Sequence, residues 1–592
     1  MKPHLYQLVL TFCLVFQFHA SAAVHYVNLN NPSPASPYTS WHTAATKIQN
    51  AIDAANSGDQ ILVTNGVYQS GGRVVYGSVT NRVALYKSVT VQSVNGPALT
   101  VIQGNPNIGT NAVRCVYITN NAMLVGFTLT NGATMDSTAL DSAHDCYGGG
   151  AWCESTNSFL TNCVLAANSA QNSGGGVLSG TLNNCSLDAN TNEAAYGSVL
   201  NNCTFVSNNG FGADTCILND CVISNNNNSG AYNSTLNNCR ILNNMAGDGA
   251  GAYFCTLSNC FLSGNVAGNG GAGGGALECT LNNCTLSGNS APWGGGAWGS
   301  TLNNCLVVGN TAHNHYLGTG PSSVGGGVGG CTANNCTIVF NTAVQPDSPW
   351  TATISFYGGG AAESALNNCI VQFNSESPSY YVYNANNYNY YLGTTTNCCT
   401  SPLLDGGTGN FTSDPLLVNT SGSDFHLQSN SPCINSGNNA DVTSTMDLDG
   451  NPRIVGGTVD IGAYEYQTPV SKISYAWLDQ YGLPITTNID TADLDGTGFN
   501  VYQDWVAGLN PTNALSVLAM LAPAPTNNPV GLVVSWQSVS GITYFLQSGT
   551  NLAAQPAFST IQSNIVGQTG TTTYTDTTAT NSGPYFYRVG VQ

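Results

Sequence analysis

Residues 181–190 read TLNNCSLDAN, and the phrase returns as VLNNCTFVSN at 199–208, TLNNCRILNN at 235–244 and TLNNCTLSGN at 280–289. Ten versions stand between residues 159 and 375. Their cysteines are Cys163, Cys185, Cys203, Cys221, Cys239, Cys260, Cys284, Cys305, Cys336 and Cys369, spaced 18 to 33 residues apart. Aligned on the Cys, four columns emerge. Three residues before it stands Leu, except for Ala333. Two residues after it stands an aliphatic residue or Phe205. Five residues after it stands Asn every time, from Asn168 to Asn374. Directly before it stands Asn, except for Asp220.

Each column has a physical reading. The Cys and the residue two later share one face of a strand, because side chains alternate. Both are small or apolar, so that face is buried. The preceding Leu also points inward if the Asn pair makes a turn, and Asn tolerates the left-handed backbone such a turn needs. The unbroken Asn column marks a second corner, where stacked amides can bond one another as a ladder. A repeat of this length with two or three short strands predicts a parallel β-helix with about 4.8 Å per coil, right-handed by the usual rule for parallel crossovers. A leucine-rich repeat would need more leucines and a helical segment per repeat.

Composition agrees and excludes other classes. The 592 residues carry 10 basic and 29 acidic side chains, 7% charged, against roughly 25% for an ordinary domain. So few basic residues, with a net charge of −19, argue against a nucleic-acid partner. The N-terminus places the chain outside the cytosol. Lys2 precedes the apolar run Leu8–Phe18, which is too short to span a bilayer, and Ala20-Ser21-Ala22 offers a cleavage site. Residues 1–22 therefore read as a signal peptide. No later segment is long and apolar enough for a membrane helix, so the mature chain is expected to be secreted or attached to the cell surface or outer membrane by other means.

Gly-Gly-Gly precedes many coils, as at Gly148–Gly150, Gly174–Gly176 and Gly294–Gly296. Combined with the Leu-x-x-Asn phrase (Leu262–Asn265, Leu286–Asn289), it resembles the repeats of polymorphic outer-membrane proteins over about residues 145–375. Upstream, Ser40–Asn56 places Ala44, Ile48, Ala51, Ile52 and Ala55 at helical spacing behind Ser40 as candidate N-cap, and predicts a helix capping the solenoid. With Gly58–Tyr68, this opening is similar to the N-terminus of pectate-lyase-like β-helix proteins. Downstream, Asp447–Arg453 and Asp460–Glu465 are similar to the closing segment sometimes called a choice-of-anchor module. These resemblances imply a secreted β-helix over residues 23–467.

Residues 468–515 read as a linker holding one sharp motif. Asp493, Asp495 and Thr497 fill positions one, three and five of an EF-hand-type loop. Gly498 supplies its turn, Phe499 its carbonyl, and Asp504 stands where a bidentate Glu is usual. Calcium is the expected cofactor. Residues 516–592 alternate apolar and polar in Leu532–Trp536, Thr543–Gln547 and Tyr585–Val589. They resemble a fibronectin III-like β-sandwich with Trp536 at its core.

The cysteine columns predict mostly unpaired, buried thiols. The five-apart pairs, such as Cys216/Cys221 and Cys255/Cys260, are the better disulfide candidates. For chemistry the sequence is sparse. Between Cys115 and Pro452 the only basic residue is Arg240, with Asp220 and Asp188 its nearest acidic candidates in the repeat alignment. Those three are the weak catalytic candidates for a polysaccharide lyase or glycoside hydrolase. The long inserts instead gather Trp350, Tyr357, Tyr380, Tyr381, Tyr383 and Tyr388, an aromatic set among small polar residues that suits binding. The expected function is a structural, adhesive or polysaccharide-binding rod, with the enzyme as the alternative.

Overall fold

Strand pairing in the computed structural model follows the predicted columns coil by coil. The structure describes residues 22–268, 270–313, 323–344, 356–376, 389–403, 406–527 and 530–592. The signal-peptide reading of residues 1–22 lies almost wholly outside them. The chain divides into two compact units, residues 1–240 and 241–592.

In the first unit one parallel ladder runs Val24–Val27, Gln60–Val63, Thr90–Ser93, Met123–Val125, Phe159–Thr161, Thr181–Asn183, Val199–Asn201, Ile217–Asn219 and Thr235–Asn237. A second runs from Thr80–Leu85 through Val113–Ile118, Ala151–Cys153, Val177–Leu178, Ala195–Tyr196 and Ala213–Asp214 to Ala231–Tyr232. A third runs from Gly66–Tyr68 to Val222–Ser224. From the coil of Gln60–Val63 to that of Ile217–Asn219, each coil contributes one strand to each ladder, which is the pattern of a parallel β-helix. Leu160, Leu182, Leu200, Leu218 and Leu236 fill its interior with no exposure, as do Leu165, Leu187, Phe205 and Ile223.

Every repeat after the first turns at three left-handed corners. The residue before each Cys has φ near +53°, as at Asn184, Asn202 and Asp220; the residue four after it is left-handed too, as at Ala189 and Ser207, and so is the residue six before it, as at Ser179 and Thr215. At each corner the next residue turns its N–H inward, and the same residue of the following coil accepts it. Cys185 N–H donates to the Cys203 sulfur at 3.4 Å, and Cys216 N–H to the Ser234 hydroxyl at 2.9 Å. Asn190 N–H donates to Asn208 Oδ1 at 2.9 Å. The Asn190 side-chain amide also reaches Asn208 Oδ1 at 3.1 Å and the Leu165 carbonyl at 2.9 Å, so the buried amide is fully used. The glycine triplets have a packing cause: a Cβ on Gly175 or Gly176 would overlap the Thr191 or Ala194 carbonyl of the next coil.

The capping helix is shorter than its sequence pattern. It spans Ile48–Ala54, with Lys47 at its N-cap and Ile48, Ala51 and Ile52 buried. Ser40 is not its cap. The Ser40 hydroxyl instead bonds Thr43 Oγ1 at 2.9 Å in a preceding turn. Lys87 donates to the carbonyls of Ile52, Asp53 and Ala55, closing the helix C-terminus.

The second unit repeats the plan with a fourth face. Parallel strands stack from Thr256–Ser258 through Thr280–Asn282, Thr301–Asn303 and Thr332–Asn334 to the Ala361–Asn367 strand. The added ladder runs from Met245–Ala246 to Ser375–Glu376 in six strands. The Asn column continues from Asn244 through Asn265, Asn289, Asn310, Asn341 and Asn374 to Asn389, with every side-chain link between 2.9 and 3.0 Å.

The segment after the coils packs on their side. Arg453, 1% exposed, donates to Asn335 Oδ1 at 3.2 Å and to the Gly462 carbonyl at 2.6 Å, and pairs with Glu465 at 3.5 Å. Asp447 and Asp460 are buried beside it. Residues 524–591 form two antiparallel three-stranded sheets around Val534, Trp536, Tyr544 and Leu546. All twenty described cysteines are buried and none forms a disulfide. The five-apart pairs form no disulfides: their members occupy two separate inward columns, each bonding along the stack rather than across it.

Two measurements test this packing. Asn208→Ala removes the acceptor of two buried N–H groups, so it should cost about 3 kcal/mol in urea unfolding followed by circular dichroism. Cys203→Ser, which keeps an acceptor there, should cost under about 1 kcal/mol. Equal losses would mean the stacked bonds do not hold the corners.

The second concerns pH. Burial pushes Asp460 up to about 7 and Glu465 up to about 8, from ordinary values of 3.8 and 4.5, with Arg453 the one cation facing them. The unfolded chain ionises both at lower pH than the folded one. Their stabilising effect is therefore complete below about pH 4 and lost as pH rises through about 7 to 8. The urea midpoint should fall between about pH 6 and about pH 9, and Glu465→Gln should flatten the fall. A midpoint that does not change would contradict the assignment.

Candidate functional site

The in-register stacking of short strands has an outward consequence. In the first unit the second ladder aligns Tyr117, Trp152, Leu178, Tyr196, Asp214 and Tyr232 in one outward column, one residue per coil. Rings separated by one strand spacing can stack. Tyr117 and Trp152 do so, with centroids 5.5 Å apart and planes 13° apart. Tyr76 leans on both at 5.9 and 6.3 Å, and the His144 ring lies 5.0 Å from Tyr76 and 5.4 Å from Trp152. Further along, Tyr147 lies 6.4 Å from Tyr196, and Phe211 stacks on Tyr232 at 4.9 Å.

Two buried charges fix the loops that carry Tyr76 and His144. The Asp145 carboxylate, 1% exposed, accepts from the Ser78 N–H at 2.8 Å, the Ser78 hydroxyl at 2.7 Å and the Val79 N–H at 2.9 Å. The Arg114 guanidinium, 2% exposed, donates to the carbonyls of His144, Tyr147 and Gly148 at 2.7 to 2.8 Å and to Asn81 at 3.0 Å. Burial lowers it to about 10, still charged at neutral pH. The aromatic group is thus held in place before any ligand arrives.

Polar groups punctuate the rings. Glu154 accepts from the Tyr117 hydroxyl, and from Thr119 Oγ1 at 2.8 Å. Burial works to raise its carboxyl, but these donors outweigh it and hold it below its ordinary value. The His144 ring bonds Asp141 at 2.8 Å. Glu193 and Asp214 flank Tyr196; burial raises both, and the Asp214 charge adds to the effect on Glu193. The Trp152 indole N–H and Glu193 Oε2 are shielded and have no hydrogen-bond partner. Rings with bonding groups at their edges suit the faces and hydroxyls of a sugar chain.

The second unit has a separate cleft of about 540 Å³ walled by Phe411, Trp477, Trp505, Asn435 and Asp479. Trp505 belongs to the helix Val501–Ala507, and Trp477 to the helix Tyr475–Gln480. This unit also carries Tyr253 and Trp298 at the outward strand position.

The sequence candidates fare differently. Asp220 is a left-handed corner residue that accepts from Asn238 at 3.3 Å in an exposed ladder. Asp188 ends the strand Ser186–Asp188, which registers through Val206 with Ser224 of Asp220's coil. Two coils, about 10 Å along the stack, therefore separate these carboxylates, beyond the spacing that retaining hydrolysis uses. Arg240 is exposed at the start of the strand Arg240–Leu242. Register keeps Asp188 and Asp220 from forming one retaining pair. Trp350, Tyr380, Tyr381, Tyr383 and Tyr388 lie outside the described residues. Tyr357 is in the strand Phe356–Gly358, its side chain outside the description. No three His, Cys, Asp or Glu side chains among the described residues are drawn up around one point as a metal cage.

No protein-family description matches the chain, and no curated protein matches it. Among solved structures, pectate lyase Pel9A is similar at 15% identity and a TM-score of 0.27, covering 75% of this chain and 97% of that one. The mannuronan C-5 epimerase AlgE6 A-module of Azotobacter vinelandii matches at 15% identity and a TM-score of 0.27, covering 60% and 95%. The Agl-KA catalytic domain matches at 13% identity and a TM-score of 0.31, covering 53% and 64%. Likenesses this weak carry no argument about chemistry, and the fold rests on the strand pairings above. No helix among the described residues is long and apolar enough to cross a membrane.

Proposed function

We propose that this chain is an exported, surface-held β-helix that binds a polysaccharide along its outward aromatic column. The observation that carries this reading is the register of Tyr117, Trp152, Tyr196 and Tyr232 on successive or near-successive coils, with Tyr76 and His144 fixed over its start. Stacked strands repeat at about 4.8 Å, so Trp152, Tyr196 and Tyr232, each two coils from the next, present rings about 10 Å apart to an extended polymer, with Tyr117, 3% exposed, buried behind Trp152. A polymer of repeating units gains from each ring it covers, as in multivalent binding. The acidic chain, with a net charge of −19, favours a neutral glycan over an acidic one.

One observation favours a second reading, a glycoside hydrolase. Glu193 and Asp214 are two carboxyls raised by burial beside Tyr196, and one Glu193 oxygen is shielded without a partner. A protonated and an ionised carboxyl is the pair such chemistry uses.

Both readings are tested with the full chain on immobilised neutral and acidic polysaccharides. The binding reading predicts retention on a neutral glycan. Trp152→Ala and Tyr196→Ala should each weaken it by about 1–2 kcal/mol, roughly five- to thirtyfold. Undiminished retention in both variants would remove the column from the site. Release of sugar that Glu193→Gln abolishes, with binding intact, would replace the binding reading by the hydrolytic one.

A further inference from the structure

The loop between Asp493 and Asp504 carries an unexplained set of buried oxygens. Asp504 is fully buried within the helix Val501–Ala507, and neither of its carboxylate oxygens has a hydrogen-bond partner. Asp495 Oδ2 is likewise shielded and unpartnered. No ion pair among the described residues involves either side chain or Asp493. Leaving a buried carboxylate without a counter-charge is costly, so the arrangement calls for a cation.

The backbone around these oxygens is built for one. Asp493 Oδ1 accepts from the Gly496 N–H at 2.8 Å, and Oδ2 from the Gly498 N–H at 3.0 Å, which curls the loop around its first carboxylate. Gly496 and Gly498 take φ of +73° and +86°, and a Cβ at either would meet nothing, so backbone conformation rather than crowding calls for glycine. Asp495 Oδ1 accepts from the Thr497 N–H at 3.1 Å and its hydroxyl at 2.8 Å, leaving Oδ2 available. The helix is anchored by a reciprocal cap: Asn500 accepts from the Gln503 N–H at 2.8 Å, and Gln503 from the Asn500 N–H at 2.9 Å. Asp504 is thereby held at a fixed place behind the loop.

We infer that residues 493–504 bind one calcium ion through the carboxylates of Asp493, Asp495 and Asp504, the Thr497 hydroxyl and the Phe499 carbonyl, the carboxylates closing on the ion as it binds, since without it no three acidic side chains of the described residues are gathered as a cage. Oxygen-only donors with several carboxylates select a hard divalent cation, and the flexible loop favours Ca²⁺ over the strictly octahedral Mg²⁺. With three carboxylates and a short Asp at the last position, the affinity belongs near Kd ~10⁻⁴ M, the range of extracellular modules. The ion would lock the helix that carries Trp505, and with it one wall of the second unit's cleft.

The test uses the calcium-stripped full chain, with isothermal titration of CaCl₂ and thermal unfolding in parallel. It is independent of any glycan. One ion per chain is expected, with a higher unfolding temperature in Ca²⁺ and a much smaller effect of Mg²⁺ at equal concentration. Asp504→Asn, nearly isosteric and neutral, should weaken binding by about tenfold or more, and Asp504→Glu should strengthen it. The Trp505 emission should respond to Ca²⁺ in the wild-type chain and not in Asp504→Asn. No heat and no thermal shift at about ten times the expected Kd would overturn the inference. So would equal calcium responses in wild type, Asp504→Asn and Asp493→Asn.

Discussion

A parallel β-helix must satisfy the backbone N–H groups that its corners turn inward. Along the strands each N–H meets a carbonyl of the neighbouring coil, but a corner points its amide at the interior, where no strand faces it. Here the amide is met by a small polar side chain stacked from the next coil: a Cys sulfur at one corner, Cys or Ser at another, Asn at the third. The left-handed residue just before each of these positions turns the amide inward. The Leu-Asn-Asn-Cys phrase is one corner of this scheme written out in residues. Its Cys content reflects an acceptor that is small and tolerant of burial, not a disulfide framework.

Low charge follows from the same constraint. The interior polar groups are amides, thiols and hydroxyls that bond along the stack, so few ion pairs are needed. Among the described residues the exceptions are local and include Arg114 and Asp145, which hold two surface loops of the first unit, the buried His25–Asp59 contact, and Arg453 with three buried carboxyls, which holds the side segment of the second. The outward position of the second ladder in the first unit mixes rings with Leu178 and Asp214. Because strands stack in register, residues at one outward position form a line along the stack, and here Trp152, Tyr196 and Tyr232 make that line partly aromatic.

The inward columns, the Asn ladder and the left-handed Asn corners are legible in spacing alone, because a fixed repeat maps sequence position onto coil position. The aromatic column carries a fainter signal of the same kind. Leu178, Tyr196, Asp214, Tyr232, Tyr253, Leu277 and Trp298 all stand seven residues before a repeat Cys. They vary in type, whereas the invariant columns that dominate the pattern serve packing. Tyr76, Tyr117, His144 and Trp152 lie before the regular repeats, where irregular loops break the spacing; strand register pairs Tyr117 with Trp152, and Arg114 and Asp145 hold the loops of His144 and Tyr76 beside them. Charge singles out Arg240, Asp188 and Asp220 in the sequence, but register puts the two carboxylates two coils apart. Ser40 has the residue type of a cap, yet a local Ser–Thr turn takes its hydroxyl first. The calcium-type loop is written in its spacing, and the unpartnered Asp504 adds what spacing cannot show.

Whether the outward aromatic column holds an extended glycan is decided most directly by a crystal structure of the full chain with a neutral oligosaccharide. The predicted result is sugar rings lying face-on to Trp152 and Tyr196 and running along the stack from coil to coil. Sugar bound only in the Trp477–Trp505 cleft, or none on the column at saturating oligosaccharide, would contradict it.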